Sequence, residues 1–129
     1  MLNDSSKILI VGAGPAGLGC ALALDACGLK ARIVDAKDIG SSFEAWPRQM
    51  QLLTPSFHSN AFGAVDLNAI TPETSPADFL HTQHPDGPEY ARYLRALCRY
   101  YELKVETPTR VHRIQPQAMG PFTVETSTG

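Results

Sequence analysis

From Ile8 to Leu24 the chain is almost entirely apolar. The run is too short and too glycine-rich to span a bilayer, where roughly 20 apolar residues are needed. Only Lys7 ahead of it is basic, and Asp4 lies there too, a weak n-region for a signal peptide. Its internal pattern splits it in two. Ile8-Leu9-Ile10-Val11 is a short, β-branched run of the kind that forms a strand buried on both faces. Glycines at 12, 14 and 17 interrupt it, and from Pro15 the pattern becomes helical, with Gly17, Ala21, Leu24 and Gly28 along one edge. Pro15 suits a first helical turn and Gly28 a C-terminal cap. Ala31 to Asp35 reads as a second strand. Strand, turn, helix and strand within about 30 residues make a βαβ unit, which requires a parallel pair.

Periodicity fades between Pro47 and Pro88, a stretch holding six of the ten prolines. Gln51-Leu52-Leu53 and Ala77-Asp78-Phe79-Leu80 are its only candidates for a strand and a helical turn. From Glu89 the helical pattern returns. Tyr90, Leu94, Leu97 and Tyr101 share a face, and Arg92, Arg95 and Arg99 form another that reads as solvated. Residues 104–107 and 110–114 then alternate polar and apolar as half-buried strands do. Residues 122–126 alternate again after a turn at 117–121, which predicts a hairpin.

A length of 129 residues allows one domain, and the formal charge of −2 lacks the basic footprint that nucleic acid or an anionic membrane would demand. Cys20, Cys27 and Cys98 are odd in number and contain no C-x-x-C pair, which fits a reducing, cytoplasmic setting better than a disulfide framework or a zinc ribbon. His81-x-x-His84, with Asp78 and Asp86 nearby, could be offered as a metal site, but paired histidines on a proline-rich loop are more often solvated, and no metal is expected.

The chemistry concentrates in Gly12-x-Gly14-x-x-Gly17, set between a strand and a helix and followed 18 residues later by Asp35 at the end of the next strand. Gly12 permits the tight turn, Gly14 lets the backbone approach a pyrophosphate, and Gly17 lets the helix pack close to the strand. The helix mouth offers free N–H groups to phosphates, and a carboxylate at Asp35 can accept from both hydroxyls of a ribose while repelling a 2′-phosphate. The spacing leaves NAD and FAD equally open.

The segment Ile8 to Leu18 resembles the N-terminal FAD motif of flavoproteins with two dinucleotide-binding domains, a class that includes flavin-containing monooxygenases and pyridine nucleotide–disulfide oxidoreductases. Gly40-Ser41-Ser42-Phe43-Glu44-Ala45-Trp46 is similar to the Gly-Gly-x-Trp region of the monooxygenase-like branch, with Ser41 in place of the second glycine. Met50 to Pro55 resembles its next flavin-lining segment, Tyr90 to Leu94 the helix before its β-meander, and Arg110-Val111 the strand whose backbone meets adenine. The resemblance implies a Rossmann-like α/β FAD/NAD(P)-binding fold, a parallel sheet with helices and a partial β-meander, incomplete at the C-terminus. It implies a cofactor-binding set of Gly12, Gly14, Pro15, Ala16, Gly17, Asp35, Ala36, Trp46, Leu53, Thr54 and Val111, although Trp46 is as readily a packing anchor.

In such enzymes NAD(P)H reduces FAD, which then uses oxygen to oxygenate a small-molecule substrate. No catalytic residue can be named, because the flavin carries the redox chemistry. The family continues into a second glycine motif that these residues lack. Residues 1–129 are therefore expected to form an N-terminal FAD-binding domain without the NAD(P)H-binding domain, to bind FAD weakly if at all, and to show no turnover alone. An NAD-dependent dehydrogenase domain and a non-catalytic nucleotide-binding fragment are the alternatives.

Overall fold

The computed structural model describes residues 7–56 and 66–129; Asp4 and residues 57–65 of the proline-rich middle lie outside them. Strand β1 (Leu9–Val11) passes through the glycine turn into α1 (Pro15–Ala26), which crosses to β2 (Arg32–Val34). The two strands are parallel, with Ile10 opposite Ile33, as a βαβ unit demands. Helix α1 ends as its sequence requires: Gly28, at φ 75°, takes the left-handed position beyond the cap, and the Leu29 amide donates back to the Leu24 carbonyl at 2.9 Å.

After β2 come the short helices α2 (Ser41–Glu44) and α3 (Pro76–Leu80), then the long α4 (Gly87–Tyr100). Strand β3 (Val105–Glu106) returns parallel to β2, giving a three-stranded sheet in the order β1-β2-β3. A separate antiparallel hairpin follows, β4 (Val111–Gln115) with β5 (Thr123–Thr126). Among the described residues no helix is long and apolar enough to cross a membrane.

The side-chain period of two divides the sheet. Ile33, with Ile10 and Val105 beside it, faces a core built from Leu18 and Ala21 of α1 and Tyr90, Leu94, Leu97 and Cys98 of α4. The opposite face carries Leu9, Arg32, Val34 and Glu106, which line a cleft of about 710 Å³ with Val124 and Thr126 of β5. The hairpin is more exposed than its alternating pattern suggests: Ile114 and the preceding-turn residue Phe122 are largely solvent-accessible.

Helix α4 begins two residues before the point its periodicity indicates. Asp86 and Glu89 form a reciprocal capping box, in which the Glu89 amide donates to Asp86 Oδ1 at 2.8 Å and the Asp86 amide to Glu89 Oε2 at 2.9 Å. The proline-rich middle is ordered by side chains where backbone ladders are missing. Gln51 makes only an isolated bridge to Asp86. Buried Asp66 accepts from the Asn68 amide, the Ser75 hydroxyl and the Ala77 amide at 2.8, 2.9 and 3.1 Å. Tyr90 donates its hydroxyl to the Asn68 carbonyl at 2.8 Å, and Tyr93 accepts from the Ile70 amide at 3.0 Å. Burial pushes the Tyr93 phenol up from its ordinary pKa, so it stays protonated as a hydrogen-bonding strut.

Candidate functional site

The glycine turn is built by three constraints of different kinds. Gly12 sits at φ 107°, where a side chain would be strained, and its amide donates to the Val34 carbonyl at 2.8 Å, tying the turn to β2. A Cβ on Gly17 would lie 1.9 Å from the Gly12 carbonyl oxygen, so only glycine lets α1 come this close to β1. Gly14 obeys neither rule. Its φ of −88° and ψ of −173° suit any residue, and a Cβ there would meet nothing within 4 Å. No side chain caps α1 and no acidic residue occupies its first turn, so its first N–H groups lack a side-chain acceptor.

Asp35 faces this mouth. Its Oδ2 accepts from the Ala13 amide at 2.7 Å and its Oδ1 from the Lys37 amide at 2.8 Å. An ionised carboxylate has about four lone-pair sites. Two are used, and those remaining can take further donors at the edge of the turn. The Asp35 backbone is fixed just as firmly, donating to the Glu106 carbonyl at 3.1 Å and accepting from the Thr109 amide at 2.7 Å. The Gly40 amide reaches the Ala13 carbonyl at 3.3 Å, bringing the start of α2 to the same turn.

Gly12, Gly14, Pro15, Ala16, Gly17, Asp35 and Ala36 therefore cluster at one end of the sheet. Val111 opens β4 two residues beyond Thr109, within roughly 7 Å of chain from the Asp35 contact. The other members of the sequence-derived set lie elsewhere. Trp46 is half-buried against Phe43, with ring centroids 4.8 Å apart, and its Cβ would be 2.8 Å from a Cβ on Gly87; its contacts are those of a packing anchor between α2 and α4. Leu53 is 93% exposed, and the Thr54 carbonyl accepts from Asn68 Nδ2 at 2.7 Å. His84 Nδ1 lies 2.9 Å from the Leu52 carbonyl, and His81 closes α3 in a left-handed conformation.

Arg95 corrects the solvated-face expectation. Arg92 and Arg99 are exposed, but the Arg95 side chain is only 29% exposed and pairs with Glu44 at 2.9 Å and Asp38 at 3.5 Å. Its periodicity was that of a surface residue; partners 51 and 57 positions earlier leave no local signal. The capping box at Asp86, by contrast, is visible as D-x-x-E.

The parallel sheet, the glycine turn opening α1 and the acid ending β2 define a Rossmann-like α/β fold of the dinucleotide-binding type. The chain belongs to the pyridine nucleotide-disulphide oxidoreductase family, whose model matches residues 9–129. Among solved structures it is similar to the bacillithiol disulfide reductase Bdr of Staphylococcus aureus, at 18% identity over 95% of this chain and 34% of that one, with a TM-score of 0.75. A mutant flavin monooxygenase from Stenotrophomonas maltophilia matches at 26% identity over 98% of this chain and 35% of that one, with a TM-score of 0.71. OTEMO, in complex with FAD and NADP, matches at 21% identity over 97% of this chain and 23% of its own, with a TM-score of 0.68. The chain spans about a third of the first two proteins' length.

Proposed function

We propose that this chain is the FAD-binding part of a flavin-dependent, monooxygenase-like oxidoreductase that takes its electrons from NAD(P)H. The observation that carries the proposal is Gly14. Neither backbone conformation nor packing requires glycine there, and the missing side chain leaves open space at the turn for something outside the chain. A pyrophosphate laid across the turn is such a partner, and the uncapped mouth of α1 supplies N–H groups of the right polarity. Asp35 would take the adenosine ribose with its unused lone pairs, and Val111 would meet the adenine through its backbone.

Bound FAD supplies hydride acceptance and onward electron transfer. The protein residues bind and orient. Gly12, Gly14, Pro15, Ala16 and Gly17 would cradle the phosphates beside Ala36, while Trp46, Leu53 and Thr54 would serve the flavin half from the 46–54 segment. The whole protein's small-molecule substrate and its NAD(P)H-binding part would lie in additional sequence, in keeping with relatives about three times as long.

Within this chain a dithiol route has no pair to use. Cys20 and Cys27 are seven residues apart along α1 and its cap, about 10 Å of helical rise, beyond disulfide reach. Cys98 is buried, and its thiol is pushed up to about 11. The monooxygenase-like branch is favoured instead by the resemblance of residues 40–46 and 50–55 to its flavin-lining segments.

Titration with FAD, followed by quenching of flavin fluorescence, tests the proposal. The expected result is a complex that Gly14→Ala weakens at least tenfold while the thermal midpoint stays within a degree or two, because an added Cβ meets no heavy atom within 4 Å. An unaffected affinity for the variant, or no uptake of FAD by the wild-type chain even at flavin concentrations that populate a weak complex, overturns it.

A further inference from the structure

Gly87, Ala91 and Arg95 fall four residues apart along one edge of α4, and α2 lies on that edge. The first two are small enough to admit it. A Cβ on Gly87 would be 2.1 Å from the Phe43 carbonyl oxygen, and one on Gly40 would be 3.0 Å from the Ala91 Cα. One turn further on, Arg95 takes hold of the same segment at both ends. Its Nη2 donates to Glu44 Oε2 at 2.9 Å, at the end of α2, while its buried Nε, which makes no hydrogen bond, stands in a looser ion pair 3.5 Å from Asp38 Oδ2, ahead of it. Between these two carboxylates sits Gly40, left-handed at φ 72°, whose amide donates to the Ala13 carbonyl inside the glycine turn at 3.3 Å.

We infer that Arg95 is a positioning residue for the dinucleotide: from α4 it clamps residues 38–44 at both ends and so holds Gly40 against the glycine turn. The inference rests on the proposed FAD site but adds a residue that touches no part of it. The planar guanidinium suits the task, because its fork can address two carboxylates at once, whereas a lysine ammonium is a point charge on a flexible stem. The geometry also says why an ion pair of ordinary surface character could matter here. Exposed pairs contribute about 0–1 kcal/mol to stability, and Glu44 and Asp38 are 49% and 69% exposed. Stability is thus not what the clamp chiefly supplies. It selects where a four-residue helix rests, and the glycine turn reads that placement through a single 3.3 Å hydrogen bond.

The experiment is FAD titration of the full chain and of Arg95→Gln, Arg95→Lys, Glu44→Gln and Arg99→Gln, with thermal midpoints measured alongside. Arg95→Gln should weaken FAD binding about tenfold and alter the visible circular dichroism of the bound flavin. Arg95→Lys should recover part of the affinity, and Arg99→Gln should match the wild type. Glu44→Gln should weaken binding alone yet add nothing in the Arg95→Gln background, a coupling that a loss of global stability would not produce. If the wild type binds FAD and Arg95→Gln binds it equally well, or if the two substitutions add independently, the clamp is wrong while the FAD site stands. If the wild type takes up no FAD, the functional proposal falls and the clamp with it. Should Arg95→Gln fail to fold, the double variant Asp38→Asn, Glu44→Gln removes the same pairs from exposed positions, and an unchanged affinity in it overturns the inference.

Discussion

A methyl group on residue 17 would need to sit 1.9 Å from the Gly12 carbonyl oxygen, a backbone atom that cannot rotate aside. Gly17→Ala must therefore lift the first turn of α1 from β1. The expected cost is about 2–3 kcal/mol, in the range of overpacked cores, read as a lower urea midpoint with an unchanged slope. Gly14 makes the opposite case, since an added Cβ there meets nothing within 4 Å. Two glycines three positions apart in one motif should thus separate cleanly, one in stability and the other in ligand affinity. A Gly17→Ala variant as stable as the wild type would show that α1 can retreat at no cost. The packing role of Gly17 was legible in the sequence because glycine is demanded there by strictly local spacing. Arg95 was not: a helix-face pattern cannot distinguish a solvated arginine from one whose acceptors lie across the fold on α2 and the turn before it.

Elements followed their sequence signals wherever the stabilising contacts are near in the chain. The βαβ unit, the cap of α1, α4 and the final hairpin all have such contacts. The middle followed its signals only at α3, which takes in the helical turn read at 77–80; the rest is held by side-chain hydrogen bonds from Asp66, Tyr90 and Tyr93, which have no period. Strand β3 lay between these cases. Its alternation was visible, but nothing in residues 104–107 tells that Val105 would lie opposite Ile33.

That pairing is reinforced by Arg32 and Glu106, joined in a bidentate contact at 2.5 and 2.7 Å on the cleft side of the sheet. The hydrogen bond from Arg32 holds the Glu106 carboxyl below its usual range. A carboxyl with a folded pKa below its unfolded one binds protons more readily when unfolded, so its stabilisation is full above the unfolded value, about 4.3. It is lost as pH falls through the folded value. The thermal midpoint of Glu106→Gln should therefore lie below that of the wild type at pH 7, and the gap should narrow progressively as pH falls below the unfolded value. A gap that does not narrow with falling pH would assign the loss to packing. The α2–α4 contact admits a second test. Gly87→Ala would drive its Cβ against the Phe43 carbonyl oxygen and the Trp46 Cβ, at 2.1 and 2.8 Å. It should displace α2 and change Trp46 fluorescence in the native state, whereas unchanged emission would mean that α4 yields instead.

At the scale of the whole molecule the chain is an α/β layer with a hairpin attached at one end. The hairpin joins that layer next to the site, where the Thr109 amide meets the Asp35 carbonyl, and Ser127 closes its base by donating to the Arg110 carbonyl at 2.8 Å. Such an attachment allows the hairpin to open without disturbing the core. The cysteines can tell the two motions apart. Cys20 and Cys27 are exposed on α1 and its cap, whereas Cys98 lies within the cluster of Leu18, Ile33, Leu94 and Leu97. Burial pushes the Cys98 thiol up to about 11, so at neutral pH it is protonated as well as shielded, and the thiolate is the reactive form. A thiol reagent added to the native protein at pH 7.5 should modify two cysteines rapidly. The third should wait for opening of the α1–sheet–α4 core, its rate climbing with urea in step with global unfolding. Since hairpin opening leaves Cys98 covered by α1 and the sheet, a fast third reaction would place the weakness in the α/β layer itself, where the glycine turn and Asp35 are anchored.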